Sequence, residues 1–321
     1  MASETVLWII EIVLFFFFLF SLPIYILYLI TLYKHRKHGE LKSPFYRIMF
    51  FLGLNDLSLI SIYYVFLRTL HWNLFMSFHF WGGDLMVKLW SAVVWGLQVS
   101  QYLLVFTASL NRFTALVFHS SYDLIWSSRF TAVCIILSIG CGLGSESFIP
   151  LACNITLGPS LANNRTWLVW HTTWCYYTSI GIVSFLTFFL AFIFVFLYSV
   201  MVVKTWRKSK SSKQNLSTRE KASRNLAVVG GVLSSLIIVQ ATLYGFMFAF
   251  KAIYRANRDA VLAVLTAQFV VFSMVNPYLI LGLCKKVRAH FVSLVKSLVV
   301  VSHGSVAPAT TGQQASRSRP I

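Results

Sequence analysis

Acidic residues are scarce in this chain, with nine Asp and Glu set against 27 Lys and Arg in 321 residues. Charge of either sign is thin. Only 11% of the residues are charged, where a soluble globular domain carries about 25%, and that excludes an ordinary soluble protein. The patterns GxxxxGK[ST], HExxH, GxSxG and CxxC are also absent, and with them the phosphate loops, zinc proteases, serine hydrolases and paired-thiol sites they mark. No internal repeat is visible, which counts against a transporter built from inverted halves. An enzyme is not expected, and nothing points to a cofactor or a metal. His35 and His38 in KHRKH resemble a ligand pair, but the cations beside them oppose metal binding and favour a solvated loop.

What the chain has in abundance is apolar sequence, 58% of its residues. Seven segments are long enough to cross a bilayer core, which takes roughly 20 helical residues: about 5–33, 44–68, 85–117, 130–152, 172–203, 225–250 and 258–284. The first is too long for a signal-peptide core and lacks a basic leader and a small-residue cleavage site, so it is expected to stay as a helix. Lys and Arg number five in 34–47, two in 112–129, eight in 204–224 and six from 285 onward, twenty-one against six on the other side. The positive-inside rule then puts the amino terminus outside and the carboxyl terminus inside. The net charge of +18 lies in short loops beside the spans and so speaks for topology, anionic membrane lipid and a cytosolic partner, not for nucleic acid.

The expected architecture is an all-α, seven-helix membrane bundle over residues 1–300, followed by a disordered tail over 301–321. In KKVRAHFVSLVKSLVVV, Phe291, Leu294, Val295, Leu298 and Val299 fall on one helix face beside basic residues, which predicts an amphipathic eighth helix on the inner membrane surface. Lys204–Asn225 reads as a basic connection that extends helices five and six as polar stalks. Asn154-Ile-Thr and Asn164-Arg-Thr form glycosylation sequons in the second outer loop, whereas Asn215-Leu-Ser lies on the inner side. Cys153 and Cys175 flank that outer loop and are expected to form a bridge, with two free thiols as the alternative. Gly140, Gly142 and Gly144 in GCGLG are read as allowing close helix packing.

Ionisable and amide groups inside a membrane are costly, so each is a functional candidate. Asp56 in helix two and Asn276, just before the helix-kinking Pro277, form a candidate conformational switch, with static interhelical bonding as the alternative. Glu11 and Glu146 sit in outer helix ends, where a ligand amine, a basic neighbour or interfacial water would each suit them. Asp84 and Lys88 are an ordinary i, i+4 pair. A small organic ligand would be lined by Trp95, Gln98 and Tyr102 of helix three, Trp174 and Tyr177 of helix five, Gln240 and Tyr244 of helix six and Gln268 of helix seven. The same residue types also anchor helices at interfaces.

Seven spans, an outside amino terminus, Arg112 at the inner end of helix three, Asn-Pro in helix seven and an amphipathic eighth helix resemble a G-protein-coupled receptor. Against rhodopsin-like receptors the match is partial: Asn111 and Phe113 replace the acid and tyrosine flanking the helix-three arginine, and Ile280 replaces the helix-seven tyrosine. Helix three also lacks an outer cysteine and helix six a proline. SLPIYIL (21–27), SPFYRI (43–48), SLNRFTAL (109–116), Trp126 in DLIW and NPY (276–278) are more similar to the nematode serpentine chemoreceptors, class V and its neighbour class G.

That resemblance implies a chemosensory receptor in the plasma membrane, the cilium of a sensory neuron being one such place. It would bind a small molecule and activate a heterotrimeric G protein through Asn111, Arg112 and Phe113, with arrestin or a kinase acting on the Ser/Thr-rich tail; oligomeric state stays open. The alternatives are a seven-span cation channel, which the charge asymmetry opposes, and a small-solute transporter using Asp56 and Asn276. Ligand-dependent uptake would favour the transporter, and ligand-dependent nucleotide exchange the receptor.

Overall fold

A computed structural model describes residues 4–37, 39–69, 72, 74, 82–153, 155–159, 166–170, 173–211, 218–249 and 258–304. The described helices are α1 (Glu4–His35), α2 (Pro44–Ile62), α3 (Gly83–Val117), α4 (Ser128–Ala152), α5 (Thr173–Ser211), α6 (Thr218–Ala249), α7 (Arg258–Leu283) and α8 (Lys285–Gly304). The first seven are each long and apolar enough to span a membrane, so the chain is a multi-pass membrane protein. α5 and α6 run past the hydrocarbon length toward their connection, as the polar stalks expected there.

Helix boundaries follow local chemistry. Pro44 opens α2, where its missing N–H leaves no partner wanting, and Ser43 before it is extended. α2 does not end at Ile62 but widens into π-helical turns over Tyr63–Arg68, a rare geometry that is frequent at functional sites. Cys284 breaks the helix between α7 and α8, and Arg288 turns back to donate to the freed Gly282 carbonyl at 3.0 Å. α8 continues to Gly304, four residues beyond the expected boundary; the tail after it lies outside the described residues.

α3 is the central helix, packed on α2, α4, α5 and α6, while α1 closes the ring against α2 and α7 and carries α8. Burial agrees: 67% of the apolar stretch of α3 is buried, against 22% for α4. Tyr25, Phe45, Met49, Leu52, Tyr102 and Phe194 fill the interior, whereas Phe20, Ile136, Phe185 and Phe192 point outward, where acyl chains would cover them. The α3–α4 seam is close because a side chain at Gly142 would press into the backbone of Ser100, with its Cα 2.7 Å away. Ser100 Oγ reaches the Ile139 carbonyl across that seam at 3.2 Å. Gly140 and Gly144 meet nothing, so of the three glycines only Gly142 serves packing.

Between α4 and α5 the all-helical expectation left a plain loop, and here the structure differs. An antiparallel hairpin, β1 (Ile155–Pro159) with β2 (Thr166–Trp170), pairs Leu157 with Leu168 at its centre. Cys153 and Cys175 are joined by a disulfide, fixing the hairpin's base between the ends of α4 and α5. Asn154, Asn164 and Asn215 lie outside the described residues.

Candidate functional site

From the end holding the α1 amino terminus to the opposite end, four polar clusters among the described residues cross the apolar bundle. At the first end, Arg68 in the π-helical turns and Glu11 of α1 form an ion pair at 3.0 Å with both side chains almost fully buried. Glu11 Oε2 also accepts from Trp72 Nε1 at 3.0 Å. Arg68 Nη2 donates to Thr266 of α7, whose hydroxyl also lies 3.1 Å from the Tyr63 hydroxyl. The guanidinium stands over the Tyr63 ring at 5.2 Å. One arginine therefore ties α1, α2 and α7 together. Of the partners open to Glu11, the structure selects a basic neighbour. The side chain of Glu146 lies outside the described residues.

One layer deeper, α3, α6 and α7 meet. Gln98 Nε2 donates to the hydroxyls of Tyr102, at 2.7 Å, and Tyr244 of α6, at 3.3 Å. Tyr102 stacks on Phe272 of α7 at 6.1 Å. Gln240 lies one turn from Tyr244, and Gln268 one turn from Phe272. Gln268 Nε2 donates to the Leu236 carbonyl of α6 at 3.2 Å. Of the expected ligand residues, Gln98, Tyr102 and Tyr244 are thus joined directly, and Gln268 meets α6 one turn from Gln240. Trp95, half-buried, lies one turn along α3 from Gln98. Trp174 is 70% exposed at the start of α5 and does not face this set. The Tyr177 side chain lies outside the described residues.

At mid-bundle, Asp56 accepts from Tyr25 of α1 and from Gln101 of α3, each at 2.7 Å. Gln101 also reaches Ser273 of α7 at 3.3 Å. Asn276 adjoins both Asp56 and Tyr25 but falls short of full hydrogen-bond geometry, and neither of its amide atoms has a partner among the described residues. Pro277 follows it inside α7. Asp56 and Asn276 do converge, with Tyr25 and Gln101 supplying the donors a buried carboxylate needs.

At the far end Arg112 is 5% exposed, and its Nη2 donates to the adjacent Asn111 Oδ1 at 2.7 Å. Its guanidinium sits 4.1 Å from the Phe45 ring centroid, a cation–π contact with α2, and its Nε has no partner among the described residues. Asn111 in turn pairs with the hydroxyl of Tyr122, both ways, at 3.1 and 3.2 Å. Tyr122 begins the short helix Tyr122–Ile125 between α3 and α4. Trp126 caps that segment, donating from Nε1 to Thr114 at 2.5 Å. Phe113 turns away to an edge contact with Phe118, at 6.2 Å. On the other side Tyr198 of α5 reaches Ser109 at 3.3 Å, and Ser109 in turn lies 3.3 Å from Ser234 of α6.

The set Tyr25, Gln101, Arg68, Tyr122 and Tyr198 was not singled out from sequence. Gln101 carried the one usable signal, an amide inside a span beside Gln98 and Tyr102. A tyrosine among 14, or an arginine at a span's end, gives no local sign of its partner.

A family model described as serpentine type 7TM GPCR chemoreceptor Srv matches residues 14–297, nearly the entire bundle and most of α8. No curated protein matches the sequence.

Proposed function

We propose, for a chain that belongs to the Srv family of serpentine seven-transmembrane chemoreceptors, that it binds a small molecule among α3, α6 and α7 and activates a heterotrimeric G protein at the opposite end of the bundle. The observation that carries this reading is the state of Arg112. A guanidinium buried between Asn111 and the Phe45 ring is held by a neutral amide, not by an acid. A neutral acceptor holds a cation less tightly than a carboxylate does. Arg112 is therefore placed to exchange Asn111 for carbonyls or a carboxylate of an inserted partner when α6 moves away. The tie from Ser109 to Ser234 of α6 would break in the same motion.

α3 supplies the link, since Gln98, Gln101 and Arg112 lie on the one helix that packs against most of the others. Asp56 and its donors from α1 and α3, with Asn276 beside them, form the polar centre whose rearrangement would pass the change along. The amino terminus would face outside, the basic stalks and α8 would face the cytosol and anionic lipid, and the tail would be open to a kinase or arrestin. The plasma membrane, including a sensory cilium, is the natural setting, and no catalytic chemistry is required.

The coupling test is basal recruitment of G protein to the receptor by a split reporter. With Arg112→Ala at matched surface level, recruitment is expected to fall to the empty-membrane value. Recruitment undiminished by the substitution removes Arg112 from the coupling surface. Orientation is tested separately: glycosidase treatment should shorten the wild-type band, and the shift should vanish only when Asn154→Gln and Asn164→Gln are combined. A shift that depends on Asn215 would reverse the topology.

A further inference from the structure

We infer that the ligand at the α3–α6–α7 site is an uncharged molecule whose head group donates a hydrogen bond, an alcohol or primary amide on an apolar body. This deepens the receptor reading above and rests on it. Gln240 is 1% exposed and its Oε1 has no partner among the described residues; the same holds for the buried Oε1 of Gln268. The Gln268 amide cannot be turned around to cure this. Its other terminal atom faces the Leu236 carbonyl, which only accepts, so that atom must be the nitrogen and the oxygen must be the orphan.

Two carbonyl oxygens in an apolar interior ask for donors, and no described side chain supplies one. Gln98 spends its Nε2 on Tyr102 and Tyr244. Gln101, one position from Tyr102, spends its own on Asp56 and Ser273. An acceptor-only ligand, such as a ketone or ether, would leave the two oxygens unpaired and pay for its own desolvation too. An ammonium would donate, but none of Gln98, Tyr102, Gln240, Tyr244, Gln268 and Phe272 offers it a counter-charge, and a buried unpaired ion is costlier still. Phe272 and Tyr102, stacked at 6.1 Å, supply an apolar wall for the ligand's body.

The experiment uses the full-length receptor in cell membranes with the split G-protein reporter. It compares straight-chain primary alcohols and primary amides of four to ten carbons with the ketone, methyl ether, carboxylate and amine of matched length. Expected is a response to an alcohol or amide at concentrations about tenfold or more below its ketone and ether, one unpaired buried acceptor being worth about that factor. Gln240→Leu and, independently, Gln268→Leu should each shrink that ratio toward one.

A second readout needs no ligand. Purified Gln240→Leu should melt no lower than wild type, because an unpaired acceptor has been removed; a clearly lower melting point would mean that structural water already satisfies the oxygen, and would overturn the inference. A ketone, ether or charged member outperforming the donors would overturn it too, as would silence across the whole panel. In each case basal recruitment that still falls with Arg112→Ala would leave the receptor reading standing.

Discussion

Glu11→Leu is expected to destabilise the receptor by about 3–5 kcal/mol, the largest loss of any single change considered, because it leaves Arg68 buried without its counter-ion. Both partners are almost fully covered, at 8% and 7% exposure, so solvent screens little of the effect. Thr266 and the Tyr63 ring would still contact the guanidinium, but neither carries the opposite charge. The decisive comparison is the double variant. Replacing a buried ion pair by apolar groups of similar size is often neutral or stabilising, so Glu11→Leu with Arg68→Leu should recover most of the loss. Thermal unfolding in detergent and the fraction reaching the cell surface measure both. A single variant that melts with wild type would mean the pair adds nothing, and a double variant worse than either single would mean that each residue has a separate task.

That ion pair also marks the limit of what the sequence disclosed. Glu11 and Arg68 were each visible as charges at the same end of the bundle, but they are 57 positions apart and on different helices. Composition and periodicity locate a residue along its own helix and say nothing about rotation against a neighbour. The same reason hid Tyr25 and Gln101 as the donors to Asp56. The spans themselves were legible within a few residues, because membrane-crossing length and apolar content are properties of one segment. So were the end of α7 at Leu283 and the amphipathic α8, where the pattern changes from continuous to one-faced.

Asp56, Asn276 and Arg112 stood out for a related cause: a polar group in an apolar run is conspicuous wherever its partner lies. The aromatic ligand residues were less legible. Trp174 has the composition of a pocket wall and the position of an interfacial anchor, and its exposure at the start of α5 favours the anchor. The hairpin escaped notice because its strands are five residues each, too short to show alternation between two long helices.

Asn111→Leu is expected to raise basal G-protein recruitment about ten- to a hundredfold. The Arg112–Asn111 contact is a hydrogen bond to a charged group, worth about 1.5–3 kcal/mol, and its loss shifts a two-state balance by a corresponding factor. The shift favours the active arrangement only if Asn111 serves as a restraint, and Tyr122 says that it does. Its hydroxyl exchanges hydrogen bonds with the same amide, so the amide is fixed from the loop side as Arg112 is fixed from within. Tyr122→Phe should therefore act in the same direction but less, since it frees the amide to rotate without removing it. Asn111→Asp should act the other way, because a carboxylate would hold the guanidinium more tightly than the amide does.

The expected order of basal recruitment at equal surface level is thus Asn111→Leu, Tyr122→Phe, wild type, Asn111→Asp, with Arg112→Ala silencing every one of them. If Asn111→Leu instead falls together with Arg112→Ala, Asn111 belongs to the docking surface itself, and the resting restraint on the arginine must be sought in the Phe45 ring.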